Sequence, residues 1–136
     1  MTLSEETSRW IASGERDRDA VYVLQAAARQ SYEIVAFHCQ QCAEKYLKAL
    51  FIQANRKPPF THDLLKLNRE MSVQCHELDS VAIDCERLTP FGTITRYPGS
   101  IMEPGPEHMP GVITWMENIR SAARACLGIP PDALPQ

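Results

Sequence analysis

The chain contains no apolar run approaching the roughly 18 residues that a membrane-spanning helix needs. Its opening, MTLSEETSRW, is polar and acidic, which does not read as a signal peptide. An even set of cysteines is also missing, and five residues of this type cannot close a complete disulfide framework. These absences point to a cytoplasmic protein whose cysteines are reduced thiols. Positive charge is not in excess: a net charge of −3 and a pI near 5.8 exclude a broadly basic, nucleic-acid-coating protein. Internal repeats and strand-like alternation are lacking as well. What remains is ordinary globular material. At 136 residues, 44% hydrophobic and 23% charged, the chain is sized for one domain with one core and is unsuited to wholesale disorder.

Hydrophobic periodicity lays out five helical segments, so the fold class is all-α, a bundle of four to five helices. Ser4 is placed to cap a first helix running to about Arg29, with Glu5 and Glu6 near the positive end of its dipole. A second helix is expected from about Ser31 to Asn55. Tyr32, Val35, Ala36, Cys39, Ala43, Tyr46, Leu47, Leu50 and Ala54 share one of its faces. Its other side is only partly polar: Ile34 and Ile52 extend the stripe carrying His38, Gln41, Lys45 and Lys48, and Phe37 and Phe51 flank it. Such a helix belongs in the middle of a bundle or at a dimer interface. Pro58 and Pro59 break the pattern, after which Thr61 is a plausible N-cap for a third helix. A shorter fourth helix fits His76 to Leu88. Residues 90–110, rich in proline and glycine, form an irregular connection to a last helix that Pro110 can begin and that ends near Leu127. The domain is expected to span residues 1–128, followed by a loose tail over 129–136.

Several groups carry chemistry on paper. Cys39 and Cys42 form a C-x-x-C that Cys75 and His76 would complete as a four-ligand set. The first pair, however, falls inside a strong helix and is read as packing, so no metal is expected. An Arg and a His separated by roughly four to six residues mark some metal-independent ribonucleases, and Arg56/His62 and Arg69/His76 meet that spacing. Neither pair lies in the later part of the bundle, and chance accounts for such matches. His62 and Asp63, at the start of the third helix, suit a phosphate or base contact, or local hydrogen bonding and dipole neutralisation. Gln41, Glu44, Lys45 and Lys48 offer a phosphate-binding face, although Glu44 and Lys48 equally make an i, i+4 ion pair. Arg96 and Tyr97 in the long connection are able to grip phosphate and stack on a base, or to pin the loop onto the bundle.

Three segments in this order, QQCAEKYLKAL at 40–50, THDLLKL at 61–67 and TRYP at 95–98, resemble the HEPN family, the higher eukaryotes and prokaryotes nucleotide-binding domain. Trp10 and the first helix resemble the family's opening, and the likeness extends over roughly residues 9–127. It implies an antiparallel up-and-down helical bundle, commonly a homodimer, that binds nucleotide or RNA. It also implies a minimal nucleotidyltransferase-fold partner in a toxin–antitoxin-like or stress module. The family's polar positions fall on Gln41, Glu44, Lys45, Lys48, His62 and Arg96, and Tyr97 adjoins the last of these. The ribonuclease motif of the later helices is not matched, since Arg96 and His108 are too far apart. The expectation is therefore a non-catalytic binding protein without cofactor. Alternatives are a dimeric interaction module presenting Ile34, Phe37, Phe51 and Ile52 to a partner, and a weak metal-independent ribonuclease.

Overall fold

Ser4 opens the first helix as expected: its Oγ accepts a hydrogen bond from the Thr7 amide at 3.0 Å. The computed structural model describes residues 2–92 and 103–130. Among these, α1 spans Glu5–Gln25, α2 Tyr32–Gln53, α3 Leu64–Ser72, α4 Ala82–Leu88 and α5 Met109–Cys126. Short 3-10 turns cover His76–Val81, Thr89–Gly92 and Pro106–His108, and no strand occurs among the described residues. No described helix is long and apolar enough to cross a membrane.

The central element is α2, which packs against α1, α3, α5 and the 89–92 turn. Its buried residues run from Val35 to Phe51 and include Gln40, Glu44 and Lys48 beside the expected apolar set. The two-sided burial anticipated from its pattern is thus met within one chain. Contacts from Ser4 to Gln53 and from Asp17 to Lys45 make α1 and α2 antiparallel. Gly14 brings the two helices together: a Cβ there would lie 3.3 Å from the Tyr46 ring. Glu15 and Arg18 meet Arg120 and Glu117, so α5 is antiparallel to α1 as well.

Helix α3 runs in the same sense as α2. Asn55, with φ at 58°, and the Arg56 amide bonding to the Phe51 carbonyl turn the chain sharply at the end of α2. Residues 56–63 then travel back along α2 until the His62 carbonyl reaches the Gln40 amide. The α3 N-cap is Asp63, not Thr61; its carboxylate accepts from the Leu65 and Lys66 amides. Thr61 instead accepts from the Asp63 amide through its hydroxyl.

Three further boundaries differ from expectation. The first helix ends at Gln25, short of the expected Arg29, and the Gln30 side chain donates to the Gln25 and Ala27 carbonyls there. The segment from His76 to Leu88 is not one α-helix; its first six residues wind as a 3-10 turn that buries Leu78 and Val81. At the other end, Ile129 packs on the core and the Pro130 carbonyl accepts from Arg124, two residues past the expected boundary at 128. The rest of the expected tail, residues 131–136, lies outside the described residues.

One cysteine expectation is overturned. Cys75 and Cys126 are joined by a disulfide, a pairing that a 51-residue separation hides from any local spacing rule. Cys39, Cys42 and Cys85 are free and buried. Burial pushes the Cys39 and Cys85 thiols up to about 12 and raises Cys42 well above its ordinary value, as befits packing residues.

Candidate functional site

The face of α2 that the bundle leaves open carries Phe37, Gln41, Lys45 and Ile52, all partly exposed. It is bordered by the first half of α1 and by the returning segment 55–63. Most of the polar residues expected to act together do come together here, but largely by satisfying one another. Lys45 Nζ lies 2.6 Å from Asp17, whose other oxygen accepts from His38 Nδ1 at 2.7 Å. Lys48 lies 3.1 Å from Glu44 and is buried with it. Glu44 also takes the His62 Nδ1 hydrogen at 2.9 Å and the Gln40 amide at 3.2 Å, while Gln41 donates to Gln40. Because a carboxylate only accepts, His62 carries its proton on Nδ1. Its ring remains 68% exposed, leaving the outer edge free to meet a ligand.

Lys48 is therefore first a structural partner of Glu44, and Lys45 is the α2 lysine that faces open space. It lines a depression of about 510 Å³ together with Glu6, Arg9, Trp10 and Ser13. A second depression of about 390 Å³ shares Glu6 and Trp10 and is completed by Ile52, Asn55, Arg56, Lys57 and Pro58. Trp10 thus stands between two hollows that hold four cations: Arg9 and Lys45 on one side, Arg56 and Lys57 on the other. Arg9 is only 4.0 Å from Glu5 in an exposed i, i+4 pair, and Lys57 makes no ion pair among the described residues. Arg56 stacks over Phe51 at 5.0 Å and donates to the Met71 sulfur. The Arg-to-His spacing marks Arg56 as a ribonuclease candidate, whereas no sequence pattern places Arg9, Trp10 or Lys57 in a site. The adjacent Arg9–Trp10 pair was visible, but its position opposite Lys45 depends on how α1 and α2 cross.

Of the residues expected on a partner surface, Ile34 and Phe37 are half-buried on the open side of α2, and Ile52 lines the second hollow. Phe51 does not belong with them. It is 1% exposed, sits in the core under Arg56, and offers no side chain to a partner. Arg96 and Tyr97 lie outside the described residues.

Behind this face a polar network locks α1, α2 and α5. Arg120 holds Glu15 through two bonds of 2.7 Å, Tyr46 donates to the same carboxylate at 2.7 Å, and Arg124 donates to the Tyr46 hydroxyl at 3.1 Å. A second fork joins Arg18 to Glu117, with Tyr22 adding a bond at 2.8 Å. Burial pushes the Glu15 carboxyl up, but the bonds from Arg120 and Tyr46 outweigh it and hold the group below its usual range. Glu117 is likewise lowered, burial being overcome by Arg18 and Tyr22. Burial and the Glu117 carboxylate raise the Tyr22 phenol to about 12. Nothing in this network offers an exposed, near-neutral acid or base; its chemistry is that of a clamp.

The family model of the HEPN domain matches residues 7–126. The match takes in all of α2–α5 and most of α1, and the protein belongs to the HEPN family. Membership agrees with the all-helical architecture and points to a function connected with nucleotides or RNA. Comparison with curated proteins and with solved structures gave no match.

Proposed function

We propose that this HEPN protein binds a nucleotide or a short single-stranded RNA along the α1–α2 face, without cleaving it. The observation that carries the reading is Trp10, a partly exposed indole shared by two hollows and flanked by Arg9, Lys45, Arg56 and Lys57. An aromatic platform between cations is the arrangement that takes a base on the ring and phosphates on either side. On an acidic chain this local grouping also explains how a polyanion is held without a basic surface overall. His62 adds a polar edge nearby, and Lys45 donates hydrogen bonds to phosphate when a ligand competes with Asp17. The non-catalytic reading is supported by Arg56 turning to Phe51 and Met71 while His62 turns to Glu44, so that this pair does not converge on one reacting atom. A minimal nucleotidyltransferase-fold protein, in a toxin–antitoxin-like or stress module, is the partner we propose.

A fluorescently labelled, mixed-sequence oligoribonucleotide provides the test. Anisotropy titrations are expected to show binding that Trp10→Ala weakens by about 5- to 100-fold, the value of one lost stacking contact. Arg9→Ala with Lys57→Ala should reduce the steepness of the salt dependence by about 0.7 for each phosphate contact removed. Binding that ignores all three substitutions would remove this face from consideration.

Self-association is a second reading, favoured by the half-exposed Ile34 and Phe37. It predicts a dimer in sedimentation that Ile34→Asp dissociates. A dimer unaffected by that change would leave this surface without a partner.

A further inference from the structure

Cys75 and Cys126 stand apart from the three core thiols in position and company. Cys75 lies in the turn between α3 and the 76–81 segment, and Cys126 is the last residue of α5. Their Cα atoms are 5.8 Å apart and their sulfurs are bonded. Glu77 reaches into the same spot, its Oε2 3.5 Å from Cys75 Sγ and 3.3 Å from Cys126 Sγ. These donor atoms all lie within 4.8 Å of one another. His76 follows Cys75 directly and places Nε2 3.6 Å from the other oxygen of Glu77.

Neither sulfur offers the Glu77 carboxylate a donor in the disulfide state. A disulfide carries no hydrogen to donate, so Glu77 Oε2 then faces sulfur lone pairs, while Oε1 keeps His76 3.6 Å away. In the reduced state it gains either two S–H donors or a cation shared with two thiolates. Three anionic donors converging on one point repel one another unless something positive sits between them, and a divalent ion removes that cost. The layout also suits metal binding in a way that Cys39 and Cys42 do not. Neighbouring donors on a turn are free to converge, and a distant residue closes the set, as in structural zinc sites. Glu77 and Cys126 are each partly exposed, which gives an ion access from solvent.

We propose that the reduced protein binds one divalent cation of the zinc type at Cys75, Glu77 and Cys126, with the remaining position open to solvent. The disulfide is the oxidised, metal-free state of the same site. The exchange balances with a small-molecule disulfide as oxidant. One cysteine thiolate attacks it and releases one reagent thiolate; the second cysteine attacks the mixed disulfide and releases the other. Two electrons pass to the reagent, the Cys75–Cys126 bond forms, and the ion leaves to solvent. Either state ties the end of α5 to the turn before the 76–81 segment, so the fully reduced, metal-free protein is the loosest form.

Cobalt(II) alone is the probe, added to the full chain after reduction and removal of reductant without air. One equivalent should produce thiolate-to-cobalt charge-transfer absorption, which zinc then bleaches. Adding a small-molecule disulfide should abolish the absorption and release the cobalt. Cys126→Ser should eliminate the band. Glu77→Gln, a change at a partly exposed residue that leaves the core intact, should weaken cobalt binding by at least about tenfold. A reduced wild-type protein without the band would overturn the proposal, as would a band that persists in Cys126→Ser or an unchanged affinity in Glu77→Gln.

Discussion

Glu15→Ala is expected to lower stability by about 3–5 kcal/mol, the cost of removing one partner from a buried ion pair. Glu15 and Arg120 have side chains only 9% and 11% exposed, so neither charge finds water when its partner is deleted. The substitution strands more than Arg120. Tyr46 loses its acceptor, and the Arg124–Tyr46 bond loses the carboxylate that stands behind it. Chemical denaturation at neutral pH measures the loss directly, with Glu15→Gln as the milder comparison that keeps one hydrogen bond. The same network sets an acid limit. Glu15 and Glu117 are held below the ordinary glutamate value of 4.5, so the unfolded chain takes up their protons first. The stability they contribute is therefore fully present above that value and is lost as pH falls through their lower folded values. Thermal melts should fall steeply below about pH 4.5, and more shallowly in Glu15→Gln.

Phe51→Ala is expected to cost about 3–5 kcal/mol, as for other buried aromatics replaced by alanine. The ring is 1% exposed and carries Arg56 over its face at 5.0 Å, so truncation opens a cavity and releases the guanidinium that shapes the second hollow. Ile34→Ala, at a half-buried position on the open side of α2, should cost much less. A partner-surface role for Phe51 would instead give nearly normal monomer stability and weakened association. The two outcomes separate cleanly in a denaturation curve at low protein concentration.

Phe51 is buried, against expectation, for a geometric reason. A helical wheel ranks positions by angle, and Phe51 sits at the border between the buried face of α2 and the open one. Which side of that border is covered depends on where residues 54–63 run, and their return along α2 is a tertiary event with no local signature. The same return set Asp63 rather than Thr61 as the cap. By contrast, Ser4, the core stripe of α2 and the Pro110 start of α5 were legible because each rests on local chemistry: a capping hydroxyl, a 3.6-residue period, and a ring tolerated only in a first turn. The candidate site was half legible. The spacing of Gln41, Glu44, Lys45 and Lys48 marks one polar face and His62 stands apart from it in sequence, but their mutual neutralisation requires side chains from three segments. Trp10 enters from α1, across the α1–α2 crossing that Gly14 makes close. Cys75 and Cys126 were illegible for a similar reason, since only the antiparallel packing of the 76–88 segment against α5 brings them together.

The Trp10 platform is the point on which the functional account turns, and its own fluorescence tests it. In Trp115→Phe protein Trp10 is the one remaining tryptophan. Titration with an unlabelled single-stranded oligoribonucleotide should quench its emission saturably, with a midpoint matching the anisotropy-derived affinity and shifting to higher concentration as salt is raised. Oligoribonucleotide binding that leaves Trp10 emission unchanged, or no binding at all at low salt, would contradict the account.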